Sequence, residues 1–407
     1  MTFTTKRRPE RNPLLEPNFE SNPIISDFLD KLRSGAAERE RLRHLPRSEI
    51  REIAETGLGS VRVSIEGGGH GWSLNHLFRF IYALSVADPN IAHALRNHYL
   101  HVELLFTFPD GEWRNERLRR VVNGAILGGA NSENHQTKMG IVDTSLRPSD
   151  SGYLLNGKKF YSTGSIFSDY VWVSATDSHG VQQWIDLPST REGITFVDDW
   201  DGFGQRLTGS GTTLFENVPV SDDDISKEDI MRGDRLPKQS VFGQLYMTTV
   251  VAGIVGNIAA DAVELLRTRK RSYQHGSAER PQDDPLLLEQ IGYLSSYAYA
   301  AKAAVEAAVP ELARVTDAFH AGEDFGSAGE TASLAAANAK LTVDELALKA
   351  ASLLLDVGGA SATSEKLGLD RHWRNARTLS SHNPRVHKAR GIGDHLVNEV
   401  SLPRNFF

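Results

Sequence analysis

The sequence predicts an α+β chain that begins with helices, passes into strands in its middle third and ends in a bundle of long helices. Three observations carry this reading. Apolar residues recur at three- and four-residue spacing in 24–32 and 48–55. Between about 125 and 220, Thr, Val, Tyr and Trp are spaced by Gly, Asn, Asp and Pro, the texture of strands and turns. After Pro237 the chain is Ala-rich and helical, with segments at 253–267, 287–316 and 331–357. The expected division is a tail at 1–22, a helical domain at 23–124, a β domain at 125–235 and a helical bundle at 236–407.

Each element has a local justification. In the first domain the cluster Gly67, Gly68, Gly69 and Gly71 reads as a loop between helices, because no preceding strand or Lys-Ser/Thr register makes it a phosphate cradle. In the second, Asn156-Gly157 lies between 153–155 and 159–161 and predicts a two-residue hairpin, since a type I′ turn needs positive φ at both central positions. Residues 170–175 and 181–187 read as further strands. In the third, the Gly- and acid-containing stretch 319–329 is expected to be the longest loop of the bundle.

Composition narrows the function classes. At 407 residues the chain can hold two or three domains. A formal charge of −7 argues against a nucleic-acid surface, which needs a basic excess. The chain has no cysteine, so disulfides, thiolate metal sites and a cysteine nucleophile are excluded. The basic start of the chain lacks the apolar stretch of a signal peptide, and no unbroken run of 18 apolar residues occurs; a cytoplasmic protein without a membrane segment is expected. His93, His98 and His101 share one helical stretch without an HExxH or carboxylate pattern, so no metal site is expected.

Specific segments resemble the acyl-CoA dehydrogenase superfamily. The stretch 152–175 is similar to the family's run into its flavin-contacting strand, 200–220 to the segment closing its β domain, and Arg374-Asn375-Ala376-Arg377 to its arginine-rich run. Within the superfamily, 199–206 (DWDGFGQR), 369–377 (LDRHWRNAR) and Ser381-His382-Asn383-Pro384 are similar to the reduced-FMN monooxygenases acting on dibenzothiophene, dimethyl sulfone and methanesulfinate. The resemblance implies a helical domain, a middle antiparallel β-barrel and a C-terminal four-helix bundle, assembled as a homotetramer.

What the resemblance implies chemically turns on one position. A dehydrogenase removes a proton α to a thioester and needs a carboxylate base. The family's glutamate position corresponds to Asn383, which cannot take that proton, and 241–253 supplies no acid as a replacement. The implied activity is instead that of a two-component monooxygenase: FMNH2 arrives from a separate NAD(P)H-dependent flavin reductase, and oxygen forms a C4a-hydroperoxyflavin that oxygenates a small organosulfur compound. A nicotinamide-binding βαβ fingerprint is absent from the sequence. An FAD-dependent acyl-CoA dehydrogenase and an N-hydroxylase of amines are the alternatives.

The same resemblance implies the site residues. His382, Ser162, Asn131, His98 and Tyr99 are the expected catalytic groups. Asn131, Ser132, Ser162, Thr163, Ser165 and His382 would meet the flavin. Arg271 and Ser272 would hold its phosphate, a group that calls for cationic donors, with Gly358 and Gly359 approaching from a partner subunit. His98, Tyr99 and Trp200 would line the substrate pocket. Several of these have a purely structural reading as well. His98 falls on the apolar stripe of Ile91, Leu95, Val102 and Leu105, as a core histidine would; Ser162 and Thr163 suit an ordinary strand, Gly358-Gly359 a helix end, and Trp200 a domain joint.

Overall fold

A computed structural model describes residues 22–134, 142–227, 236–272, 274–324 and 326–403. The expected tail lies outside these apart from Asn22, as does the end of the expected β domain at 228–235.

The chain opens with six helices: α1 (Pro23–Leu42), α2 (Arg47–Glu55), α3 (Leu74–Ala87), α4 (Pro89–Ala94), α5 (Arg96–Leu105) and α6 (Glu112–Val122). Their starts follow from capping chemistry. Asn22, Ser73 and Asp88 each accept a backbone N–H of the first turn, and Pro23 and Pro89 occupy first helical positions where no N–H is needed. Leu95, at φ −84° and ψ −1°, interrupts what the apolar spacing presents as one helix from 91 to 105. Because α4 and α5 are separate, residues before and after Leu95 face different neighbours. The glycine cluster at 67–71 is a loop, as expected.

Seven strands follow: β1 (Leu127–Ala130), β2 (Ser145–Ser149), β3 (Gly152–Lys159), β4 (Tyr170–Thr176), β5 (Gln182–Pro188), β6 (Ile194–Val197) and β7 (Thr212–Val220). They form one curled sheet in which β4 pairs with β5 on one edge and with β1 and β2 on the other, and the order continues through β3 and β7 to β6. The sheet is mixed rather than purely antiparallel. β1 runs parallel to β4, because the chain enters it from α6 in the same direction as β4, and β2 makes a short parallel contact with β4. Among the described residues β5 and β6 do not pair, so the sheet is not a closed barrel.

Asn156-Gly157 is not a hairpin turn. β3 continues through it, and the turn lies at Asp150-Ser151, between Ser149 and Gly152. The pair instead marks an irregularity in the β3–β7 register, where Asn156 Oδ1 accepts the Asn217 N–H at 2.8 Å and any Cβ on Gly157 would fall 2.4 Å from Thr144 Oγ1. A glycine in a strand serves here as a bulge and a close approach, the other use of the same dipeptide.

Three long helices, α7 (Leu236–Thr268), α8 (Pro285–Ala321) and α9 (Gly326–Gly358), build the bundle, with α10 (Asp370–Ser381) packed against α7 and α9 and α11 (Arg385–Asn398) against α9. The connection expected at 319–329 shrinks to 322–325, because Gly322 closes α8 in a left-handed conformation and Asp324 caps the N–H of Gly326. The longer connection is 269–284. The helices over 239–268 and 326–363 are long and apolar enough to cross a bilayer by composition, but they pack as the centre of the bundle. One apolar core runs from α1–α4 through α7–α10, and a second fills the sheet between Ala130 and Val220.

Candidate functional site

The site is built where three parts of the chain converge: the α4–α5 break, the turn after β3, and the joint between α10 and α11. Two segments that carried the family resemblance dock on each other to set this geometry. Gln205 donates its backbone N–H to Asn375 Oδ1 at 2.5 Å, Arg374 reaches Phe203 O at 2.8 Å, and a Cβ on Gly204 would collide with Arg374 O. Glu40 of α1 closes the joint through Asn90 at 2.8 Å and Arg374 at 3.0 Å. Gln205 is thereby fixed with its side-chain Oε1 3.0 Å from His93 Nδ1. Nδ1 then carries the proton, and Nε2 is left as an acceptor.

His382 caps the end of α10, and Asn383 follows it at φ +54° before Pro384 begins the approach to α11. Asparagine is among the few non-glycine residues that adopt this left-handed conformation readily, so the joint turns sharply and holds the imidazole outward. The His382 ring is solvent-accessible and makes no hydrogen bond among the described residues, yet protein encloses it closely enough to hold its pKa down to about 3, through desolvation and then the charges of Arg96, His93, Lys340 and Lys388. It is therefore a neutral imidazole on the wall of a narrow recess. Burial likewise keeps His93 neutral, with a pKa down to about 3.

The charged side chains that act most on His382 are the cations Arg96, Lys340 and Lys388. The nearby carboxylate, Asp344 on α9, is buried and held 2.8 Å from Lys340. Lys388, the next cation, is buried on α11, and desolvation plus Lys340 bring its pKa down to about 8. Glu365 and Glu399 lie exposed on the surface. Among the described residues the recess thus offers no base of the kind a dehydrogenase requires.

The turn after β3 packs on the α4–α5 break. Ser162 is 2 % exposed, and its Oγ is sealed from solvent without a hydrogen-bond partner. Thr163 shares its hydroxyl with Ser210 at 2.8 Å and accepts Asn97 Nδ2 on its carbonyl at 2.9 Å. Gly164 makes the turn possible: at φ +78° its backbone presses on the end of α4, and a Cβ would lie 2.0 Å from Ala94 O. Asn131 and Ser132 are exposed at the end of β1. Gln205 Nε2 and Asn383 Nδ2 are two further buried donors without partners. Unfilled donors on several walls suit a planar ring rimmed with nitrogen and oxygen acceptors, and the residues present therefore fit a flavin.

Other expected residues are placed elsewhere. His98 is wholly buried, with Nε2 2.7 Å from Gly59 O and Nδ1 accepting the Leu127 N–H at 3.2 Å, so both ring nitrogens are consumed by backbone. Tyr99 donates to Leu58 O at 3.0 Å. Both belong to the core that fastens α5 to its surroundings, and the histidine at the recess is His93, five residues earlier. Ser165 is likewise structural: its hydroxyl donates to Gly129 O and accepts Gly129 N–H, tying the turn to β1. Trp200 donates Nε1 to Gly204 O at 3.2 Å and packs over Gly202 within its own loop.

The expected phosphate residues form a second, separate group. Arg271 is exposed, whereas the Ser272 hydroxyl is engaged with Ala278 O at 2.9 Å. Arg269 joins this loop to the end of α9 within one chain, donating Nε to Arg271 O at 3.0 Å and Nη1 to Val357 O at 2.6 Å, beside Gly358 and Gly359. No hydrogen bond or ion pair among the described residues links this group to the recess.

Comparison with known proteins agrees with the geometry. The model of the acyl-CoA dehydrogenase C-terminal domain matches residues 245–385. Over that segment the chain is similar to acyl-CoA dehydrogenases. A dibenzothiophene monooxygenase of Mycolicibacterium goodii is 28% identical over 92% of this chain and 93% of its own. The probable FMNH2-dependent monooxygenase SfnC of Pseudomonas putida is 26% identical over 97% of this chain and 99% of its own. Among solved structures, FMN-bound TdsC from Paenibacillus sp. A11-2 superposes with a TM-score of 0.86 at 26% identity, covering 94% of this chain and 98% of that one.

Sequence reasoning missed His93, Arg96, Gln205 and Lys388. One signal could have found the first two: Asp88-Pro89 starts a new helix, which shifts the register of everything after it.

Proposed function

We propose that this chain is a two-component monooxygenase that uses FMNH2 and O2 to oxygenate a small organosulfur compound. The observation that carries the reading is His382, a neutral, accessible imidazole near His93 and the cations Arg96, Lys340 and Lys388, with no carboxylate base facing it among the described residues. The relatives' names support the cofactor and the reaction class.

In this reading Asn131, Ser132, Ser162 and Thr163 would hold the ring of the flavin, and Arg271 with the end of α9 at Gly358 and Gly359 would hold its phosphate. When bound, reduced FMN supplies the two electrons that activate oxygen. The chain's own groups do the rest. Ser162 Oγ and the N–H of His382 would be the hydrogen-bond donors toward oxygen. His93, its tautomer fixed by Gln205, would offer Nε2 as a proton acceptor.

The phosphate group of one protomer would serve the ring group of another, which supports a homotetramer. A separate NAD(P)H-dependent flavin reductase would supply FMNH2, and a cytoplasmic location and the division near 124 and 235 belong to the same proposal. The test is to mix the protein with photoreduced FMN, oxygen and a panel of sulfinates, sulfones, thioethers, amines and acyl-CoAs. Oxygenated sulfur products are expected; amine oxidation or acyl-CoA desaturation would displace the reading.

A further inference from the structure

Arg96 is a cation without an anion. It opens α5, on the recess side of the Leu95 break, where its guanidinium passes over the backbone of α7: a Cβ on Gly243 would lie 3.2 Å from Nη2. No carboxylate pairs with it and no acceptor meets it among the described residues, and its Nε is sealed from solvent without a partner. The side chain is nonetheless only partly buried, so its terminal nitrogens remain open to the recess. Two other buried arginines face carboxylates: Arg117 lies 2.8 Å from Asp186 and Arg371 2.6 Å from Asp261. A guanidinium with Nε sealed and no carboxylate beside it leaves its open terminal nitrogens to be completed by an anionic ligand.

We infer that Arg96 is the substrate-anion receptor of the recess, and that the substrate is a small organosulfur anion, a sulfinate, held by its two oxygens in the guanidinium fork. The inference rests on the monooxygenase reading for its chemistry. The charge balance points the same way, since Arg96, Lys340 and Lys388 outnumber Asp344 around His382. Gly243 leaves room for the guanidinium on α7, whose segment 241–253 carries no acid. A planar fork with parallel N–H groups matches two geminal oxygens, a match a neutral thiophene or thioether does not make. The overall step balances as R–SO2⁻ + O2 + FMNH2 giving R–SO3⁻ + H2O + FMN: sulfur is oxidised by gaining one oxygen atom, and the other leaves as water.

The test begins with binding, which needs no turnover. Wild-type protein is titrated by calorimetry with ethanesulfonate, an inert anion of the same headgroup class, and with the neutral ethyl methyl sulfone. Arg96→Met and Arg96→Lys are titrated in parallel, and FMN affinity is measured for all three. The inference expects wild type to bind the sulfonate over the sulfone, Arg96→Met to lose roughly 100-fold in anion affinity, and Arg96→Lys to retain most of it, with FMN affinity unchanged within about two-fold. The same order is expected in kcat/KM for ethanesulfinate with photoreduced FMN. Preference for the sulfone, equal anion binding by wild type and Arg96→Met, or loss of FMN rather than of the anion would overturn it. The wild-type preference decides even if Arg96→Met fails to fold. Anion binding through Arg96 without oxygenation of any sulfinate would uphold the receptor and sink the monooxygenase reading.

Discussion

His93 Nδ1 stands 3.0 Å from Gln205 Oε1, and Gln205 is itself fixed by its backbone N–H on Asn375 Oδ1 at 2.5 Å. One residue thus connects α10, the loop after β6 and the α4–α5 break. Gln205→Leu removes the acceptor that fixes the His93 tautomer while leaving its own backbone anchor in place. Steady-state kinetics with photoreduced FMN should show kcat lowered roughly 10- to 100-fold, with an unchanged thermal midpoint. An unaltered kcat would take His93 out of the chemistry.

The two histidines five positions apart should respond oppositely to truncation. His98→Ala strands Gly59 O and the Leu127 N–H in the core and opens a cavity, and urea unfolding should register a loss of about 3–5 kcal/mol. His93→Ala should cost far less stability but most of the activity. A stable, inactive His98→Ala would reverse the assignment.

His382→Ala should abolish product formation, by at least roughly 100-fold, with circular dichroism and FMN binding retained, because the ring makes no hydrogen bond that holds the fold. Turnover at the wild-type rate would remove His382 from the site.

Acid should unfold this protein through its buried histidines. Desolvation sets the pKa of His98 and His372 down to about 4, and of His93 and His101 down to about 3, against about 6.5 in an unfolded chain. A folded value below the unfolded one means that the unfolded state binds more protons between the two. Stability is therefore whole above pH 6.5 and lost as pH falls from about 6.5 toward 4, by about 1.4 kcal/mol per pH unit for each group. Asp261 extends the loss to lower pH. Burial opposes its ionisation, but His372 at 2.8 Å and Arg371 at 2.6 Å overcome this and hold it below the usual carboxylate range. Urea midpoints measured from pH 7.5 to 4.5 should fall with a slope of at least two protons, and a flat profile would contradict it.

The fold was legible because its signals are long. Period-3.6 apolar spacing and Ala-rich runs survive small errors of register, so the helical start and the bundle stand where the sequence places them, and β4 and β5 follow from their alternating residues. What escaped depended on single residues with two uses. Asn156-Gly157 serves a bulge as well as it serves a turn, and only the Thr144 side chain against Gly157 distinguishes them. Leu95 carries no breaker of its own, so the stripe through His98 looked continuous and drew attention to a core histidine. Arg96 escaped because an unpaired cation is visible only once its neighbours are known. His382 and Asn383 were legible for the opposite reason: a lone His-Asn-Pro between two helices must form a joint, and a joint presents its side chains.

The most direct test of the monooxygenase account is a single turnover in 18O2. Protein loaded with photoreduced FMN is mixed with ethanesulfinate under 18O2 and the product is weighed by mass spectrometry. The account predicts ethanesulfonate carrying one 18O atom per FMNH2 consumed. Unlabelled product, or oxidation of FMNH2 to hydrogen peroxide alone while an acyl-CoA is desaturated by the same protein with an artificial electron acceptor, would contradict it.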